Sequence, residues 1–97
     1  MEMNYLSEFP NYDGDFYLPS GWEDNSWHND ACPHAEKRNE DGTIVANIWQ
    51  HYVDSSKRDL GMKRYLFTIC VNEDDAIFIH ETDDLEEIKE LVKGVNI

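Results

Sequence analysis

Residues 64–95, RYLFTICVNEDDAIFIHETDDLEEIKELVKGV, constrain the fold of this chain more than any other stretch. Two β-branched and aromatic runs flank an acidic turn, the pattern of a hairpin, and a helical apolar stripe follows at Leu85, Ile88, Leu91 and Val92. A four-residue turn at 72–75 pairs Val71 with Ala76, Ile69 with Phe78 and Phe67 with His80. Leu66, Thr68, Cys70, Ile77 and Ile79 then take the opposite face, so both faces of the hairpin need cover. Asp83 with Glu86 three residues on resembles a capping box, with Thr82 the alternative cap. Lys89 and Lys93 suit the helix C-terminal dipole, and Gly94 suits a left-handed residue after the last turn.

Upstream, residues 43–53 (TIVANIWQHYV) have strand composition, and Ile44, Ala46, Ile48, Gln50 and Tyr52 make the more buried face. Asp41-Gly42 marks a turn, residues 35–42 read as a polar loop, and Gly61 calls for an unusual backbone angle. Residues 21–34 read as an ordered loop anchored by Trp22 and Trp27. Near the start, Tyr5, Leu6 and Phe9 fit one helical turn, and Phe16, Tyr17 and Leu18 before Pro19 fit an extended piece. The expected fold is α+β in a single domain over 1–97. An irregular, acidic, aromatic segment (1–42) precedes a β-β-β-α unit (43–97). Its three-stranded antiparallel sheet carries the C-terminal helix on one face and the aromatic segment on the other, a second copy of the chain being the other candidate cover.

Charge restricts function. With 21 acids, eight Lys and Arg and a net charge of −13, the chain repels nucleic acid and anionic lipid, and encounters basic surfaces faster at low salt. Direct nucleic-acid or membrane binding is therefore not expected, and a basic protein partner is. Two acidic blocks, 1–36 and 73–87, each hold eight carboxylates and no Lys or Arg. Twelve per cent aromatic content sets the chain apart from a disordered acidic tail. The first twenty residues lack a basic start and an apolar run, which suggests a cytoplasmic protein, and two cysteines are too few for a disulfide scaffold.

No catalytic motif emerges. His28, Cys32 and His34 are residue types that bind zinc, but a closed site needs a fourth ligand from Cys70, His51, His80 or a carboxylate. These residues read better as loop positions bonded to backbone, and no metal or cofactor is expected. Cys32 has no cation nearby in sequence to activate it before Lys37, so catalysis is not expected either. The acids are more informative: Asp83, Asp84 and Glu86 are explained by the helix start, whereas Glu73, Asp74 and Asp75 at the hairpin turn exceed what capping requires. With Glu87, Glu23, Asp24 and Asp30 they form the candidate partner-binding set.

A carboxylate surface on a rigid scaffold can occupy the Lys and Arg sites that meet a phosphate backbone. In size, charge and compactness the chain resembles small acidic inhibitors of phages and mobile elements, such as anti-CRISPR proteins, and the immunity proteins of nuclease toxins. The resemblance implies a non-enzymatic inhibitor that blocks the nucleic-acid site of a basic effector complex or nuclease; no family residue carries over. Three alternatives stand beside it: an accessory protein-binding domain using aromatic surface, with the acids only solubilising; a small zinc protein or enzyme; and, for assembly, a homodimer.

Overall fold

The computed structural model describes residues 4–59, 61–72 and 74–97, so the expectation for Glu73 lies outside the described residues. The fold is α+β with an antiparallel sheet and a C-terminal helix, but the sheet has five strands where the sequence suggests three. These are β1 (Glu23–Asp24), β2 (His34–Arg38), β3 (Ile44–Gln50), β4 (Tyr65–Val71) and β5 (Ala76–Thr82), in spatial order β1-β2-β3-β4-β5. A single helical turn, α1 (Tyr5–Glu8), opens the fold and α2 (Leu85–Lys93) closes it. Among the described residues no helix is long and apolar enough to cross a membrane.

The central hairpin follows its apolar pattern. Phe67 faces His80 and Ile69 faces Phe78 as the alternation requires, but the register slips at its tip, where Cys70 rather than Val71 meets Ala76. The residue passed over is Ile77 on β5, and in the turn Asn72 takes a φ of 55°, in the left-handed region that Asn tolerates. The preceding hairpin closes on side chains: Asn39 Oδ1 accepts from Ile44 N, Asp41 Oδ1 accepts from Thr43 N, and Gly42 sits at φ 74°. Gly61, with φ 82°, has the expected unusual angle.

The polar-loop reading of 35–42 fails because β2 runs through it. In β2 only Ala35 and Lys37 turn towards the core side, while His34, Glu36 and Arg38 turn away, so the apolar alternation that announces a strand never develops. The helix cap is also displaced by one residue. Asp84 caps α2 by accepting from Glu86 N, because Asp83 is taken by Arg64 N at 2.8 Å and Thr82 Oγ1 accepts from Asp84 N. Gly94 is right-handed (φ −83°), not left-handed, and its N–H closes the last turn onto Leu91 and Val92.

The largest correction concerns the two covering layers. Ala35, Ala46, Ile48, Tyr65 and Phe67 form the inner face of the sheet, and the residues packed on them come from α2 (Ile88, Leu85, Leu91, Val92) and from the N-terminal segment (Trp22, Phe16, Tyr17) alike. Helix and aromatic arm therefore share one face. The arm is held there by Gln50, which is fully buried: its Oε1 accepts from Tyr17 N at 2.8 Å and its Nε2 donates to Tyr17 O at 2.7 Å. One carboxamide thus satisfies both backbone groups of a residue that has no strand partner. Trp22 packs on Phe67 with ring centroids 6.4 Å apart, and Asp13 accepts from Val53 N and Asp54 N.

Replacing Gln50 with Leu keeps the apolar fit and orphans the Tyr17 N–H and C=O, which should cost about 1–3 kcal/mol. Urea unfolding should show that loss, with hydrogen exchange accelerated first at Tyr17; an unchanged midpoint would mean the clamp contributes nothing.

Candidate functional site

With both covers on the inner side, the outer face of the sheet receives neither helix nor arm, although its middle, at His34, Glu36, Asn47 and Thr68, is buried. Its strands present His34, Glu36 and Arg38, then Val45, Asn47 and Trp49, then Leu66, Thr68 and Cys70, then Ile77, Ile79 and Glu81, as the register and the alternation of side chains dictate. None of these residues belongs to the core cluster. The loop after β1 rises beside the face, so Asn25, Trp27 and Asp30 wall a groove of about 460 Å³ that ends near Asp74 at the β4–β5 turn.

The floor of this groove is polar and tightly bonded. His34 stacks on Trp49 with centroids 3.8 Å apart and planes 8° from parallel. His34 Nε2 meets Asn47 Oδ1 at 2.6 Å, and Asn47 Nδ2 donates to Thr68 Oγ1 at 3.1 Å. Because the Asn47 amide donates towards Thr68, its oxygen accepts, which places a proton on His34 Nε2. His34 N donates to the buried Ser26 Oγ, and Glu36 accepts from Arg38 Nε at 3.2 Å. Burial lowers the His34 pKa from its ordinary value, and the Asn47 bond offsets part of that shift. His34 is thus neutral near pH 7 and serves to fix the Trp49 ring in place.

The structure separates acids with internal work from acids without it. Asp24 accepts from Tyr5 N, Ser26 N and Ser26 Oγ, which ties α1 to β1. Glu87 bonds His80 Nε2 at 3.0 Å and accepts from Thr82 Oγ1, and these bonds lower its pKa. Asp83 lies 3.6 Å from Arg58 and 4.0 Å from Lys63. By contrast, the carboxylates of Glu23, Asp30, Asp74, Asp75 and Glu81 have no hydrogen bond or ion pair among the described residues. Asp30 and Asp74 line the groove, Glu23 stands opposite Glu36 at its β1 border, and Asp75 and Glu81 lie at the two ends of β5. Of the candidate set, four described residues border one surface and two are engaged in the scaffold. The sequence reading omitted Glu81, whose only signal was the alternation that puts it on the same face as Ile79.

The other candidate chemistry is dispersed. His28 pairs with Glu8 at 2.9 Å on the surface, while Cys32 is buried and burial pushes its thiol up to about 12. Such a thiol is a poor nucleophile. Among the described residues no group of three or more His, Cys, Asp or Glu side chains could hold a metal ion. Of the anticipated aromatic anchors, Trp22 is buried but Trp27 is 41% exposed at the groove wall.

A second cavity, about 690 Å³, opens beside Arg58, Arg64 and Lys89. Arg58 donates to Tyr52 O and Val53 O, Lys89 pairs with Glu86, and the Arg64 guanidinium lies 4.5 Å from the Tyr65 ring and 5.6 Å from that of Tyr12, although its buried Nη1 has no hydrogen-bond partner among the described residues. Comparison with protein-family models, with curated proteins and with solved structures finds no match for this chain.

His34 and His51, both lowered by burial, make stability depend on pH. The unfolded chain takes up their protons first, so their contribution is complete above the ordinary histidine value of 6.5 and is lost as pH falls through the lower folded values. His34→Gln should flatten the stability-against-pH curve below that value. A curve as steep as the parent's would remove His34 as its source.

Proposed function

We propose that this chain is a non-enzymatic acidic inhibitor that binds a basic, nucleic-acid-handling protein and blocks its nucleic-acid site, in the manner of an anti-CRISPR protein or a nuclease-toxin immunity protein. The observation that carries this reading is the sorting of the acids. Of the carboxylates that fasten nothing among the described residues, Glu23, Asp30, Asp74 and Asp75 border the outer face, while Asp15, Glu40 and Asp59 lie elsewhere. Glu23 sits on β1, and backbone bonds from Asp30 N to Trp27 O and from Asp74 N to Val71 O close the turns that carry the others; like charges so placed cost stability unless something basic meets them. The stacked His34 and Trp49 supply a preorganised aromatic centre within that rim, the arrangement in which aromatic anchors carry affinity and charges steer encounter.

A second reading is an accessory protein-binding domain that uses apolar surface while the acids only keep it soluble. It is favoured by Ile77 and Ile79, which are 71% and 62% exposed on the same face.

The two readings part under charge reversal. Immobilised protein should retain a partner from host lysate that salt elutes and duplex DNA or RNA displaces. Asp30→Lys, Asp74→Lys and Asp75→Lys together should weaken retention by about tenfold or more, largely through the on-rate. Retention indifferent to salt, competitor and charge reversal would favour the accessory domain and defeat mimicry.

A further inference from the structure

The two edges of the sheet are unequal. One ends in β1, two residues long and both acidic, which is how natural sheets blunt an edge. The other ends in β5, seven residues (AIFIHET) with neither proline nor lysine, whose outer side has no neighbouring strand among the described residues. Ile77, Phe78 and Ile79 at its centre are 71%, 39% and 62% exposed. A strand of this length with a row of unpaired N–H and C=O groups is a template for another strand.

Charge decides what can pair there. Acids bracket β5, with Asp74 and Asp75 before it and Glu81, Asp83 and Asp84 at its other end. Were two copies to pair antiparallel about Ile79, Asp74 would meet Asp84 and Asp75 would meet Asp83. Parallel in-register pairing would set each acid against itself. Either way the like charges oppose self-association, although Arg58 and Lys63 partly offset Asp83. A strand bracketed by Lys or Arg meets attraction at both ends and finds Ile77 and Ile79 on one face with Phe78 on the other.

We propose that the outer edge of β5 is a docking site for one extended segment of a partner protein, with apolar residues at its centre and Lys or Arg at both ends, added as a sixth strand. This rests on the reading of the partner as basic, and it specifies how such a partner is gripped. The segment would extend the outer face towards the groove, whose far wall carries Asp30 and Trp27.

The test uses the full chain and four synthetic peptides: a Val-Thr alternation flanked by lysines, the same peptide N-methylated at the amides of one edge and, separately, of the other, and a version flanked by glutamates. The lysine-flanked peptide should bind by isothermal titration, slow hydrogen exchange across β5, and bind about tenfold more weakly when the edge that faces β5 is methylated. Ile77→Lys with Ile79→Lys, at positions exposed enough to leave the fold intact, should weaken it similarly. Absence of binding by the lysine-flanked peptide, full binding by both methylated forms, or a β5-paired dimer by light scattering would each overturn the proposal. Equal binding of the glutamate-flanked peptide would instead sink the basic-partner reading while β5 pairing survived, so the two failures are distinguishable.

Discussion

The two hydrogen bonds between the Gln50 carboxamide and the Tyr17 backbone determine how this molecule divides its surface. A buried amide that cannot find partners is costly, and Gln50 finds them only in an extended segment lying against the inner face. That fixes the aromatic arm on the side already occupied by α2. Trp22 and Ile88 then complete one core between them, and the opposite face receives no layer. That neither helix nor arm lies on the outer face is thus a consequence of where the arm is clamped, and the candidate site exists because of a contact on the far side of the sheet.

Legibility in the sequence followed the density of apolar residues. The pairings Phe67 with His80 and Ile69 with Phe78, the inner face of β3, and the apolar stripe of α2 were all readable, because each places large apolar side chains at a fixed period. β2 was not readable, since Ala35 is its single apolar inward residue and Glu36 and Arg38 face outward. Which face the arm would cover was hidden for another reason. Gln50 carries no hydropathic signal, and its partner is a backbone 33 residues away. The cap moved from Asp83 to Asp84 because Arg64 N, at the entry to β4, claims Asp83, a competition that local pattern cannot show.

The acids of this chain are two populations that sequence alone merges. Asp24, Asp83, Asp84 and Glu87 accept hydrogen bonds that hold turns, strands and the helix start together. Adjacent acids such as Glu23, Asp74 and Asp75 differ from them in position only by a residue or a turn. A composition count gives all of them equal weight, whereas hydrogen bonding leaves a smaller group, most of it around the outer face. The same sorting explains why neutral His34 is compatible with so acidic a protein: burial against Trp49 outweighs the field of the surrounding carboxylates.

The meander order of the sheet carries a kinetic meaning. Each strand pairs with its neighbour in sequence, and Arg38 meets Val45 only seven positions away, whereas the Gln50–Tyr17 clamp spans 33. Closing the longer loop costs about 1.4 kcal/mol more in chain entropy, so local contacts form ahead of it. The arm is on this account the last piece to close, and until it does the side of Phe67 that Trp22 will cover faces water.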